Sequence, residues 1–381
     1  MRGSSAASPP MNRHLDTLLD AAALMVTKAT FIGLRLAVLY LCAARISRAE
    51  FGLLALSFTV AEVSRFIGDW GTDTLSLRHF SHPDGRQAAT DFRWVLRTRW
   101  LSCVVAGACA LGGILVLVGL PFGITAMIVS LTSVSSLWLN LGINWLQARA
   151  SLRPAAAILS AVGLACLGVQ ILASTQGWEV GTQLLALLGF EVIMAVIVLT
   201  LARRQAAGLA PTQTGARQSA PTLGKWLHHA SPIALASLLA LAYGRFDQFY
   251  IRHYAAAETL GDYTLANRVV EPLLFVAAAL YSTIYARAST IVQHRADRTN
   301  LRHDILRWGR FMLAYALTAA VVAGGLAGLL LPRVFPSYTE ALPYLWIALA
   351  ALVFRCLNLC CTAFIQALGH YRLMLGVSIW N

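Results

Sequence analysis

Four charged residues between positions 243 and 271 have the types and positions best suited to chemistry. Arg245 and Asp247 interrupt one long apolar run, and Arg268 and Glu271 interrupt the next. Each run is long enough to cross a bilayer. A charge at the centre of a membrane helix costs about 2.5–3.5 kcal/mol on insertion scales. These groups must therefore face a partner or a wet cavity rather than lipid.

The spacing of these charges predicts different surroundings for the two pairs. Arg268 and Glu271 are three residues apart, so they can pair along one helix face. Pro272 follows them and has no N–H to donate, which predicts a kink at that point. Arg245 and Asp247 are only two residues apart, so an ideal helix points them toward different partners.

A second set of charges lies in the first half of the chain. Glu62, Arg65, Asp69 and Asp73 follow steps of three, four and four residues. On one continuous helix, predicted over 51–78, these four side chains lie within about 80° of one another. One face of that helix is therefore predicted to be polar.

The embedded cations outnumber the embedded acids. Lys28 and Arg35 are seven residues apart and so share a helix face. The cations predicted to bind substrate are Lys28, Arg35, Arg65, Arg245 and Arg355, and the deep acids are Glu62, Glu191, Asp247 and Glu271. A cationic interior favours an anionic group of a substrate. Ion pairs that only join helices are the alternative, above all for Arg268 with Glu271 and for Asp69 and Asp73.

The composition is that of a polytopic, all-α membrane protein. Of 381 residues, 58% are hydrophobic and only 12% are charged, with a mean hydropathy of +0.65. Charged residues supply about a quarter of a soluble domain. The net charge is +13, and most of the basic residues lie in short loops between apolar runs. This distribution is typical of membrane topology rather than of nucleic-acid binding. Neither the seven cysteines nor the nine histidines have metal-ligand spacing, and the chain lacks a Walker-type glycine loop. We predict no metal, no cofactor and no catalytic residue.

Apolar runs predict ten spans and the start of an eleventh near Leu373. The spans cover 17–44, 51–78, 99–120, 123–148, 154–175, 181–202, 228–254, 260–289, 308–331 and 340–368. With the N-terminus inside, 20 of the 30 lysines and arginines fall on the inner side and four on the outer side, and six lie within spans. This asymmetry predicts a cytoplasmic N-terminus.

Matched residues predict two lobes of six helices each, in the same membrane orientation. Gly52 and Glu62 correspond to Gly261 and Glu271 at an offset of 209. The predicted parts are a cytoplasmic tail (1–14), an N-lobe (15–203), a polar cytoplasmic linker (204–227) and a C-lobe (228–381). An offset of 219 added to Ala202 places the end of a complete second lobe near residue 421, so we expect the C-lobe to be truncated.

These segments resemble the polysaccharide flippase family of the multidrug/oligosaccharidyl-lipid/polysaccharide exporter superfamily. The residues that carry the resemblance are Tyr243-Gly244-Arg245-Phe246-Asp247, Leu260-Gly261-Asp262-Tyr263 with Ala266, Arg268 and Glu271, and Ala49-Glu50-Phe51-Gly52-Leu53-Leu54-Ala55-Leu56 with Asp69 and Gly71. Members usually have twelve or fourteen helices, and this chain departs from that number.

The resemblance implies a transporter of the bacterial inner membrane. It would move an undecaprenyl-diphosphate-linked oligosaccharide between leaflets by alternating access, for surface polysaccharides such as lipopolysaccharide O-antigen or exopolysaccharide. The implied partners are this lipid-linked oligosaccharide, membrane lipids and other polysaccharide assembly proteins. Proton or sodium coupling would use Glu62, Asp247 or Glu271.

Two alternatives remain open. One is an ion-coupled exporter of drugs or metabolites from the same superfamily. The other is a membrane glycosyltransferase or polymerase, which requires acids on a large outer loop, whereas all the predicted outer loops are short.

Overall fold

The secondary structure is helical throughout the described residues, which confirms the all-α part of the predicted fold. A computed structural model describes residues 25–26, 29–30, 32–82, 84–119, 123–149, 152–209, 223–293 and 298–368. The predicted tail, Lys28, most of the predicted linker and the start of the eleventh span lie outside these ranges.

Eleven α-helices follow one another along these residues. They are α1 (Ile32–Ala43), α2 (Arg48–Asp69), α3 (Thr72–Phe80), α4 (Gly85–Leu117), α5 (Gly123–Ala148), α6 (Leu152–Thr175), α7 (Val180–Gly208), α8 (Leu223–Tyr254), α9 (Ala257–Gln293), α10 (Arg298–Val334) and α11 (Ala341–Ala367). A short 3-10 helix, Pro336–Tyr338, precedes α11.

Seven of these helices, α2, α4 to α7, α10 and α11, are long and apolar enough to cross a membrane. This is the pattern of a multi-pass membrane protein. Helices α8 and α9 have 32 and 37 residues but are not among the seven, so the count of ten spans stays a prediction. Helix α7 ends at Gly208 and α8 begins at Leu223, so both ends of the segment predicted as a linker, 204–208 and 223–227, are helical.

The helix predicted over 51–78 is broken, and that prediction was wrong. The chain turns at Trp70 and Gly71, whose φ angles are 46° and 71°. Glycine adopts a positive φ readily, whereas a bulky residue there costs on the order of 1–3 kcal/mol. The Asp69 carboxylate stabilises the turn by accepting hydrogen bonds from the Thr72 hydroxyl at 2.8 Å and the Asp73 amide at 3.1 Å. Asp73 therefore lies on α3 and not on the same helix as Glu62.

The first compact unit comprises Met1–Cys42 and Leu54–Asp247. Helix α5 packs against α3, α4, α6 and α7. Phe80, Phe92 and Trp145 are buried together, with ring centroids 4.8–5.6 Å apart. This aromatic cluster fixes α3 and α4 against the C-terminal end of α5.

The second compact unit comprises Ala43–Leu53 and Gln248–Asn381. Helices α9, α10 and α11 pack on one another around a core of small and aliphatic residues. The start of α2 belongs to this unit and crosses α9 at two glycines. A Cβ on Gly52 would lie 2.7 Å from Gly261 N and 2.8 Å from Ala257 O, and a Cβ on Gly261 would overlap the Arg48 carbonyl. Only glycine permits so close an approach of the two backbones.

Candidate functional site

A polar cavity of about 220 Å³ lies between α1, α2 and α5 in the first unit. It contains three of the predicted site residues, Arg35, Glu62 and Arg65. Its full lining is Ile32, Arg35, Phe58, Ala61, Glu62, Arg65, Thr132, Ser133, Ser136, Leu139 and Asn140. The cavity thus combines guanidinium, carboxylate, hydroxyl and amide groups.

The wall on α5 is rich in hydroxyls because a membrane helix can satisfy them internally. Ser133 donates to the Ser130 carbonyl at 2.6 Å, and Ser136 donates to the Thr132 carbonyl at 2.7 Å. Bonds of this kind supply each hydroxyl hydrogen with an acceptor inside the helix. The oxygen lone pairs remain available to the cavity.

Arg35 is held from two directions. Its Nε lies 2.7 Å from Glu191 Oε1 and its Nη2 lies 3.1 Å from Oε2, so the pair is bidentate. The same Nη2 donates to Ser136 Oγ at 3.0 Å, and Ser135 Oγ lies 2.9 Å from Glu191 Oε2. Bidentate arginine–carboxylate pairs are among the strongest hydrogen-bonded contacts in proteins. Glu191 is 1% exposed and Arg35 is 30% exposed, so the arginine retains a face toward the cavity.

Glu62 and Arg245 form a more accessible ion pair. Arg245 Nη2 lies 3.0 Å from Glu62 Oε2, and the side chains are 20% and 36% exposed. Ion pairs with this much exposure contribute only about 0–1 kcal/mol of stability. This pair can therefore open at little cost.

Arg65 lies on the same cavity with its guanidinium 4.3 Å from the centre of the Phe66 ring. Such a contact stabilises a cation without neutralising it. Within the described ranges Arg65 has no carboxylate within ion-pair distance. Its positive charge remains available to an incoming anion.

The other predicted site residues lie elsewhere. Arg268 and Glu271 pair on α9 in the second unit, with Arg268 Nη1 2.8 and 2.7 Å from the two carboxylate oxygens. Arg355 is exposed on α11, also in the second unit. Asp247 is half-buried on α8 and is the last residue of the first unit. The structure therefore gathers Arg35, Glu62, Arg65 and Arg245, and leaves the remaining described candidates apart from them.

A second ionic cluster surrounds Arg99 of α4, which is 1% exposed. Its Nη1 donates to Asp69 Oδ1 at 2.9 Å and to the Thr72 hydroxyl at 3.0 Å, and its Nε donates to the Leu137 carbonyl at 3.2 Å. Its Nη2 contacts Asp73 Oδ1. Burial raises the pKa of Asp73 to about 6, and Asp69 adds to the shift while Arg99 opposes it. Arg99 thus pairs with two carboxylates.

Sequence reasoning missed Arg99 and the polar face of α5. Arg99 is the first residue of the span predicted over 99–120, and its partners Asp69 and Asp73 lie 30 and 26 residues earlier. The α5 residues Ser133, Ser136, Asn140 and Asn144 recur at steps of three and four, and this helical period was a readable signal. Glu191 was recognised as a deep acid, but its pairing with Arg35 depends on how α1 and α7 pack.

No family model, curated protein or solved structure matches this chain. The described residues provide a helical fold, seven candidate spans and the polar cavity of the first unit. That cavity can bind an anion through Arg65 and the exposed part of Arg35. The Glu62–Arg245 ion pair beside the cavity can open, so that either side chain can bind another charged group.

Proposed function

We propose that this protein is a transporter of the bacterial inner membrane. It moves an undecaprenyl-diphosphate-linked oligosaccharide between leaflets by alternating access, for surface polysaccharide biosynthesis. The observation that carries the proposal is the charge of the cavity. Arg35, Glu62 and Arg65 line the cavity, Glu191 pairs with Arg35, and Arg245 pairs with Glu62. The formal charges of these five described residues sum to +1. The planar guanidinium of arginine can bind two oxygens of a diphosphate in bidentate fashion.

Binding of the diphosphate would compete with Glu62 for Arg245. The pair is half-exposed and weak, so a doubly charged anion is a stronger partner than one carboxylate. Protonation of Glu62 would remove its negative charge, so that it no longer competes with the diphosphate for Arg245. The substrate and the coupling proton then act on one ion pair, while Asp247 and Glu271 remain the alternative coupling groups.

Local symmetry at the α2–α9 crossing supports the proposed two-lobe repeat. Gly52 approaches Ala257, and Gly261 approaches Arg48. Both 48 with 257 and 52 with 261 are 209 residues apart, so each contact is the image of the other. Reciprocal contacts of this kind are expected of a local two-fold axis. We propose two parallel six-helix lobes on this basis, and a cytoplasmic N-terminus from the distribution of lysine and arginine.

The proposal is tested by Arg245→Ala in a host whose own polysaccharide flippase has been deleted. We expect loss of polymer export at a normal protein level, because the anionic group loses its exchangeable cation. Arg245→Lys should retain part of the export, since the charge remains without the bidentate geometry. Arg204→Ala, at the exposed end of α7, is the matched control. Normal export by Arg245→Ala would exclude the role.

An exporter of cationic drugs or metabolites is the second candidate. The observation that favours it is the 36% exposure of the Glu62 carboxylate, which can attract an organic cation. Purified protein that binds tetraphenylphosphonium through Glu62, with no competition from a lipid-linked sugar diphosphate, would support this candidate over the first.

A further inference from the structure

The polar cavity continues toward the Arg99 cluster. A second cavity, of about 280 Å³, borders Asp73 and shares Ile32, Leu139 and Asn140 with the first. Asn140 is the polar one of these three residues and borders both cavities. Each is large enough for several water molecules, which occupy about 30 Å³ apiece in the liquid.

One face of α5 is polar along both cavities. Its members are Ser133, Ser136, Asn140, Asn144 and Gln147, at steps of three, four, four and three residues. Fourteen residues of helix span about 21 Å, more than half the thickness of the hydrocarbon core. Polar side chains at membrane depth face protein or water rather than lipid.

Asp73 marks one end of this face, and its surroundings are mixed in charge. Helix α4 presents Arg99, while α2 presents Asp69 and Arg65. Helix α5 presents the uncharged Asn144, whose amide donates to the Asp73 carbonyl at 3.2 Å. Burial and the nearby Asp69 carboxylate both raise the pKa of Asp73, to about 6. Asp73 therefore holds a proton more readily than an ordinary aspartate does.

Glu62 marks the other end. It lies seven residues before Asp69 on α2, which is a rise of about 10 Å. Its carboxylate pairs with Arg245 and borders the first cavity. Asp73 borders one cavity, Glu62 borders the other, and Asn140 borders both.

We propose that the two cavities form one hydrated path along α5, over which a proton passes between Asp73 and Glu62. This inference rests on the proposed ion-coupled transport and names its route. The O–H bond of protonated Asp73 breaks, and its proton moves along hydrogen-bonded water. The last water gives a proton to a Glu62 oxygen. Asp73 is left as a carboxylate beside Arg99, and Glu62 becomes neutral, which weakens its pairing with Arg245.

The arrangement suits a proton better than a metal cation. Na⁺ and divalent ions require several oxygen ligands around one point. The carboxylates at the two ends already accept from guanidinium groups, Asp73 from Arg99 and Glu62 from Arg245. A proton needs only one carboxylate oxygen, so it can be accepted while the arginine stays in place.

The test is proton uptake by the full chain in sealed liposomes, without any transport substrate. A potassium gradient with valinomycin sets a membrane potential, and a pH-sensitive dye inside reports protons. We expect the wild type to exceed protein-free vesicles. Asn140→Leu, at the residue that borders both cavities, and Asp73→Asn, which keeps the shape of the side chain, should fall to the protein-free rate. Asn140→Ser should retain uptake because it stays polar.

The matched control is Asn358→Leu on α11, the same exchange at an exposed site of the second unit, and it should leave uptake unchanged. A wild type no faster than protein-free vesicles would overturn the path, as would normal uptake by both Asn140→Leu and Asp73→Asn. If Asn140→Leu fails to fold, proton uptake by Asp73→Asn alone decides whether the path exists. Uptake that depends on Asp73 in a protein that exports no polysaccharide would refute the proposed substrate and leave the path intact.

Discussion

The Arg99 cluster and the Glu62–Arg245 pair both tie α2, or the turn that follows it, to another helix, but their surroundings differ. Arg99 is 1% exposed and donates to two carboxylates, a hydroxyl and a carbonyl. Glu62 and Arg245 are 36% and 20% exposed and meet at 3.0 Å beside a cavity. The same residue types thus occur in a closed and in an open setting.

This difference distinguishes charged residues that stabilise the fold from charged residues that can exchange partners. Desolvated ions attract each other strongly, and removing one leaves the other buried without compensation. Exposed ions are screened by water, so either can leave at little cost. A residue list alone does not distinguish the two settings, because both contain arginine with aspartate or glutamate.

Arg99→Ala should have the largest effect on stability. The change leaves Asp69 and Asp73 close together without their shared cation, and losing one member of a buried ion pair costs about 3–5 kcal/mol. Thermal unfolding of the purified protein in detergent measures the loss. Arg97→Ala, two residues away and exposed, should change little. Equal midpoints for the two variants would show that the cluster is not closed.

The second largest effect should be the contribution of Asp73 to the pH dependence of stability. Its pKa is about 6 in the folded protein against an ordinary 3.8, because burial disfavours the charged form. The folded state then binds more protons than the unfolded state between about pH 4 and 6. The contribution of Asp73 to the free energy of unfolding should therefore fall as pH rises through that window and stay constant above it.

The free energy of unfolding, measured for the wild type and for Asp73→Asn at several pH values, isolates the contribution of Asp73. The difference between them, wild type minus variant, should decrease from about pH 4 to 6, since Asn does not titrate. A difference that grows with pH would mean that the attraction of Arg99 outweighs burial.

Helix content and local spacing were readable from the sequence. The apolar runs predicted an all-helical chain, and the three-residue step from Arg268 to Glu271 matches the contact seen on α9. The break at Trp70 and Gly71 was not readable, because one glycine inside a helical pattern is often tolerated. What fixes it is Asp69, whose hydrogen bonds to the start of α3 exist only once the turn has formed.

Ion pairs between residues far apart in sequence could not be predicted, for a physical reason. Arg35 and Glu191 are 156 residues apart, and Arg245 and Glu62 are 183 apart. Periodicity gives the face of a helix but not the neighbour that this face meets. The cations of the first unit could be proposed as a group, whereas their division into a fixed arginine, Arg35, and an exchangeable one, Arg245, required the packing.

Glu62→Gln should have the smallest effect on stability and so sharpen the contrast. Gln keeps the shape of the side chain, and the ion pair lost is half-exposed, so we expect a change of about 1 kcal/mol or less in the free energy of unfolding. Glu191→Gln is the matched comparison in the same unit, and its loss should be larger because Glu191 is 1% exposed and holds Arg35 in a bidentate pair. Chemical denaturation of both variants measures the two losses. If Glu62→Gln destabilised the protein as much as Glu191→Gln, the Glu62–Arg245 pair would be a structural link, and an anion could not displace it at low cost.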